Sequence, residues 1–167
     1  MNTVTFKGIP LHLDGEQPAR GAAAPDFDLL ANDLSQRILK SYHDNILVLL
    51  SVPSLDTPVC DTEVRRFNRE AANFSDRVRI VAVSCDLPFA QTRWCGAAGV
   101  SAVETLSDYR ETNFGRNYGV LIRELRLLAR AVFVVARDGT LAYGRIVPEI
   151  THEPDYDEAL AAIQKLV

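Results

Sequence analysis

Cys60 closes Thr57-Pro58-Val59-Cys60, a segment suited to starting a helix. Thr57 fits the N-cap, and Pro58 fits the first helical position, where its missing N–H is no loss. A thiol in the first turn faces unpaired backbone N–H groups and the positive end of the helix dipole. Both favour the thiolate, the nucleophilic form. Asp61 and Glu63 follow at once and oppose a negative sulfur, so a thiolate here needs a cation close by. The plain alternative is a small apolar residue in the first turn of a helix. Cys95 lies in the helical stretch Phe89–Cys95, so a disulfide to Cys60 would join two separate elements. Packing between helices explains Cys95 equally well. Cys85 ends an apolar run and reads as a small core hydrophobe, because free Cys is among the most buried residue types. No Cys or His pair shows the spacing of a structural zinc site. His12, His43 and His152 are isolated in loops or hairpins and read as surface residues.

The elements that must position Cys60 follow from pattern. Val4–Leu13 alternates apolar and polar residues around Lys7-Gly8, which predicts a hairpin. Residues 17–25 form a loop leading to a short strand at Phe27–Leu30. Ile46–Leu50 is a continuous apolar run, the mark of a strand covered on both faces. After a Pro-bounded loop, Val64, Phe67 and Ala71 share one helix face, and Val78–Ser84 is a second buried strand. A strand–helix–strand unit of this length implies parallel pairing. Leu87–Ala97 reads as a helix with Pro88 in its first turn, and Ser107–Tyr118 as another, capped by Ser107 and stopped by Gly119. Ala131–Ala136 and Leu141–Val147 flank Arg137-Asp138-Gly139-Thr140, a hairpin signal. A closing helix places Tyr156, Leu160, Ile163 and Val167 on one face.

That order predicts an α/β thioredoxin-like fold: a mixed central sheet, helices on both faces and an N-terminal β-hairpin. In such a sheet the strand from Ala131 runs antiparallel beside the first buried strand. Arg130 then arrives at the edge from which the Cys60 loop departs. Its guanidinium stays charged and can donate in a fork to a thiolate and a bound oxygen.

The chain has 167 residues, a one-domain length, so residues 1–167 are read as a single domain with no internal repeat. With 47% hydrophobic and 24% charged residues it can bury a core without disulfides or metal. Its 18 basic and 22 acidic residues give −4, which argues against nucleic acid or an anionic membrane as partner. No segment approaches the ~20 apolar residues of a membrane span, and the N-terminus lacks the apolar core of a secretory signal. An odd, sparse set of 3 cysteines suits reduced thiols in the cytoplasm.

Pro53-Ser54-Leu55-Asp56-Thr57-Pro58-Val59-Cys60 resembles the active-site loop of the peroxiredoxins, with Pro, three residues, Thr, two residues and Cys. The runs Asp61–Asn68, Asp86–Gly96 and Leu127–Phe133 are similar to the bacterial thiol peroxidases, atypical two-cysteine members of that family. The resemblance covers nearly the whole chain. It implies that Cys60 is the peroxidatic cysteine, Cys95 the resolving cysteine, Thr57 and Arg130 activating residues, and Pro53 a shield over the reacting sulfur. It implies no role for Cys85.

The expected activity is reduction of hydrogen peroxide and alkyl hydroperoxides through a Cys60 sulfenic acid and a Cys60–Cys95 disulfide, recycled by thioredoxin. No cofactor is needed: no metal, haem or flavin. A homodimer is implied by the resemblance alone. Bridging requires Cα atoms within about 7 Å, so the first turn at Cys60 is expected to unwind and the Cys95 segment to move. Apolar Val59, Leu87 and Phe89 favour alkyl hydroperoxides. The competing readings are a Cys–His hydrolase, disfavoured because no histidine is predicted to reach Cys60, and a non-catalytic redox sensor.

Overall fold

Alternation within one apolar strand explains how the chain builds two cores. In the computed structural model, which describes residues 2–167, strand β5 (Ile46–Ser51) sends Leu47 and Leu49 to one face and Ile46, Val48 and Leu50 to the other. Strand β6 (Val78–Ser84) divides likewise and pairs parallel with β5, Leu50 opposite Ala82. Helix α1 (Pro58–Glu70) makes the crossover, burying Cys60, Glu63, Val64 and Phe67.

Around this unit the sheet grows to seven strands. Beyond β6 lie β7 (Val103–Ser107), parallel, then β3 (Asp28–Leu30) and β4 (Gln36–Ile38), antiparallel. Beyond β5 lie β10 (Ala131–Val135) and β11 (Leu141–Ile146), both antiparallel. Between β10 and β11, Gly139 takes φ +87°, the left-handed conformation that the turn requires. The expected N-terminal hairpin is β1 (Thr3–Phe6) with β2 (Ile9–Asp14). It joins β8 (Leu121–Ile122) and β9 (Leu127–Leu128) in a second, four-stranded sheet.

Helices cover both faces of the main sheet, as expected, but unequally. Helix α1, helix α2 (Pro88–Ala98) and helix α4 (Tyr156–Gln164) pack on the face of Ile46, Val48 and Leu50. The opposite face carries the small sheet and the short helix α3 (Asn113–Asn117), whose Phe114 stacks on Tyr118 with ring centroids 4.6 Å apart.

Two expectations fail. Ser107 does not cap a helix: it ends β7, and its hydroxyl donates to the Asp86 carbonyl at 2.5 Å. The helix begins only at Asn113, because the Asp108 carboxylate accepts from the Phe114 and Gly115 N–H groups and holds the chain in a loop until then. Val167 lies beyond α4 and is exposed, so the buried stripe of that helix is Ala159 and Ile163, flanked by half-buried Tyr156 and Leu160. Strands β4, β8 and β9 are too short to leave a periodic signal.

Candidate active site

The loop 52–57 delivers Cys60, and a single carboxylate pins it. Asp86, just past β6, accepts from the Ser54 hydroxyl at 2.7 Å and the Leu55 N–H at 2.9 Å. Ser84 adds a third donor to Asp86 at 2.8 Å. Pro53 and Leu55 are buried beneath the loop. Thr57 occupies the N-cap position with extended backbone, and Pro58 starts the helix, as the sequence predicts. The Thr57 hydroxyl does not cap, however. It turns back to donate to the Ser54 carbonyl at 2.9 Å. The orphan N–H groups of the first turn, where Cys60 sits, therefore receive no side-chain cap.

Arg130 arrives where the topology places it. Ala131 pairs with Ser51 at the end of β5, and the Ser51 hydroxyl donates to the Ala129 carbonyl at 2.7 Å. The Arg130 side chain is 2% exposed. Its Nη1 lies 3.3 Å from Cys60 Sγ and 2.7 Å from Glu63 Oε2. Its other edge grips one carbonyl, with Nε at 3.1 Å and Nη2 at 2.8 Å from the Ile150 oxygen. A guanidinium has five N–H bonds. Four hydrogen bonds are spent on these partners, which leaves one Nη2 hydrogen for another acceptor.

Glu63, which by its charge alone opposes a negative sulfur, completes the site as the ion-pair partner of Arg130. It lies one helical turn beyond Cys60, a spacing that puts both on one face. That face is its one sequence signal. Burial pushes the Glu63 carboxyl up to about 7, against the pull of Arg130. Burial also disfavours the Arg130 cation, but Glu63 and Cys60 outweigh it and hold the guanidinium protonated. The other acid, Asp61, turns away to Arg65 at 2.8 Å and to the Trp94 Nε1–H at 2.9 Å. The required cation is therefore present, with Glu63 sharing it.

Cys95 lies on α2 and Cys60 on α1, and no disulfide joins them. Both are free thiols, and the half-buried Cys95 Sγ lies 3.6 Å from Thr105 Oγ1 on the wall of a separate cavity of about 480 Å³. The Asp61–Trp94 bond links the neighbours of the two cysteines, and Arg65 Nη1 adds a bond to the Ala98 carbonyl at 3.2 Å. Cys85 is half-buried against the opposite core, where burial, then the Asp108 and Asp86 carboxylates, push its thiol up to about 12. His12 pairs with Glu124, His43 contacts Asp44, and His152 lines a groove with Pro58 and Val59. Among the described residues no histidine hydrogen-bonds to Cys60, which weakens the hydrolase reading. Nor does any cluster of three or more His, Cys, Asp or Glu side chains form a metal cage among them.

The AhpC/TSA family pattern matches residues 20–144. A thiol peroxidase of Oceanobacillus iheyensis is 49% identical over 165 residues, covering 99% of this chain and 100% of its own. The thiol peroxidase of Bacillus subtilis is 47% identical over 167 residues, covering 100% and 99%. This chain belongs to the AhpC/TSA family. The crystal structure of a peroxiredoxin-like protein from Aquifex aeolicus superposes with a TM-score of 0.93 at 41% identity, covering 100% of this chain and 98% of the other. The thioredoxin-like architecture is thus that of a peroxiredoxin. Within it, Arg130 meets the buried Cys60 sulfur, Pro53 and Thr57 lie in the loop that leads to Cys60, and Cys95 is a free thiol on another helix.

Proposed function

We propose that this AhpC/TSA-family chain is a thiol peroxidase that reduces hydrogen peroxide and alkyl hydroperoxides with Cys60 as peroxidatic and Cys95 as resolving cysteine, recycled by thioredoxin. The observation that carries the reading is the buried contact of the Arg130 guanidinium with Cys60 Sγ. The Cys60 thiolate attacks one peroxide oxygen in line with the O–O bond. The electron pair of that bond leaves on the far oxygen, which takes a proton and departs as water or alcohol, and Cys60 becomes a sulfenic acid. Charge developing on the departing oxygen meets the uncommitted Arg130 N–H and the uncapped N–H groups of the first turn. Donors held in place before the reaction contribute a few kcal/mol each, roughly. The Thr57 hydroxyl donates its hydrogen bond to the Ser54 carbonyl, so its oxygen serves as an acceptor that orients the peroxide O–H. Pro53 keeps bulk water from the sulfur.

The Cys95 thiol then displaces hydroxide from the sulfenic sulfur, which leaves as water with the thiol proton, and a disulfide remains. Because Asp61 and Trp94 tie α1 to α2, that step requires the first turn of α1 to open. A thioredoxin dithiol restores both thiols. Val59 lines a groove of about 410 Å³ with Pro58, Thr62 and His152, while Leu87 and Phe89 are 50% and 67% exposed beside the Asp86 anchor. These apolar side chains support a preference for alkyl hydroperoxides. Residues 1–167 act as a single catalytic domain in the cytoplasm, as a homodimer by resemblance. No helix among the described residues is long and apolar enough to cross a membrane.

The test is peroxide-dependent NADPH consumption with thioredoxin and thioredoxin reductase, comparing alkyl and hydrogen peroxide. Repeated turnovers that vanish in Cys60→Ser are expected. A single equivalent consumed without turnover would leave the redox-sensor reading standing instead.

A further inference from the structure

The Ile150 carbonyl receives two of the four hydrogen bonds from Arg130, so its placement sets the angle of the guanidinium at Cys60. Ile150 belongs to no strand or helix. Its two neighbours explain how it stays in place. The Glu149 carboxylate uses both oxygens: Oε1 accepts from the Gly8 N–H at 2.9 Å and the Thr5 hydroxyl at 3.0 Å. Oε2 accepts from the Thr151 N–H at 3.0 Å and its hydroxyl at 2.7 Å. The backbone repeats the connection. Thr5 donates its N–H to the Pro148 carbonyl at 2.8 Å and accepts from the Ile150 N–H at 2.9 Å. The Gly8 N–H comes from the turn of the β1–β2 hairpin, where Gly8 adopts φ +82°. Hydrogen bonds from backbone and side chains hold the Glu149 carboxyl well down, at about 2, so it stays charged.

We propose that Glu149 is a positioning residue for peroxide reduction: it locks the hairpin turn to Thr151 and so fixes the Ile150 carbonyl that orients Arg130. It touches neither the sulfur nor the substrate. The inference rests on the proposed role of Arg130 at Cys60. It assigns the N-terminal hairpin a part in the chemistry, as the outer frame of the guanidinium. Glu149→Gln replaces one acceptor oxygen with an NH2 group that faces two donors, so one side of the frame loosens. Misplacing a reacting group by about 1 Å costs up to about a hundredfold in rate, and a loosened frame should cost about tenfold.

The experiment measures the second-order rate constant for oxidation of reduced Cys60 by tert-butyl hydroperoxide in four full-length proteins: wild type, Glu149→Gln, Arg130→Lys and the double variant. A lysine cannot form the two-pronged grip on Ile150, so with Lys at position 130 Glu149 has nothing left to orient. Glu149→Gln is expected to slow the wild-type reaction about tenfold and the Arg130→Lys reaction by less than about twofold. An equal loss in both backgrounds means Glu149 serves structure alone and overturns the inference, as does a Glu149→Gln rate within about twofold of wild type. If Arg130→Lys itself reacts like wild type, the role of Arg130 fails too, which separates the two failures. Should Glu149→Gln not fold, Thr151→Val removes a single hydroxyl donor and is expected to show the same background dependence at about threefold. Its absence is equally fatal.

Discussion

Glu63 makes the buried ion pair testable through pH. Its carboxyl is fully buried, and burial raises it from an ordinary 4.5 to about 7 although Arg130 lies 2.7 Å away. The folded chain therefore holds this proton more tightly than the unfolded chain does. The resulting stabilisation is complete below the unfolded value and is lost as pH rises through the folded one. At about 1.4 kcal/mol per unit, the displacement corresponds to about 3 kcal/mol. Asp108 adds to the same slope, since its burial raises it from 3.8 to about 6. Glu149 and Glu124 are shifted the opposite way, both to about 2, so their losses fall at more acid pH. Urea unfolding of the reduced protein should therefore give a lower stability at about pH 8 than at about pH 5, by about 3 kcal/mol or somewhat more. Glu63→Gln, neutral throughout, should remove most of that slope and leave the part due to Asp108. A stability that climbs across this interval, or a slope that survives Glu63→Gln intact, refutes the view that Glu63 is strained by its burial.

Cys60→Ser should abolish peroxide reduction, because a serine hydroxyl is too weak an acid to supply the anion; more than trace activity would refute the assignment. Cys95→Ser should leave the first oxidation intact but stop thioredoxin turnover, with sulfinic acid accumulating at high peroxide in intact-mass spectra. Cys85→Ala should do neither and should cost about 1 kcal/mol or less in urea unfolding. A disulfide that persists in Cys95→Ser and disappears in Cys85→Ala would make Cys85 the resolver. Asp61→Asn weakens the ties to Trp94 and Arg65. Fluorescence of Trp94, the sole tryptophan, should then report disulfide formation about fivefold faster, the effect of about 1 kcal/mol. An unchanged rate would mean those bonds do not hold the helices apart.

The local parts of this protein are legible in its sequence alone. A Pro at the first helical position, an Asp-Gly turn and a continuous apolar run each act within a few residues, so Pro58, Gly139 and Ile46–Leu50 stand where they were expected. Ser107 shows the limit: its residue type suits a cap, but the pairing of β7 with β6 places it at a strand end. Arg130 was reachable only through sheet topology, because the antiparallel pairing of β10 with β5 brings it to the Cys60 edge.

The ion pair and the frame around Arg130 were not legible, even though Glu63 shares a helix face with Cys60. Glu63 is separated from Arg130 by 67 positions and Glu149 from Gly8 by 141, and no pattern within a helix or strand encodes such a meeting. The sequence by itself determined which residues could form a nucleophilic thiolate at a helix start. The tertiary structure decided that Glu63 shares the cation, that Ile150 holds its other edge, and that Trp94 bonds to Asp61 between the two cysteine-bearing helices. The reason is range: capping, periodicity and turn chemistry act between neighbours in the chain, whereas a buried charge finds its partner only after the sheets have brought distant segments together.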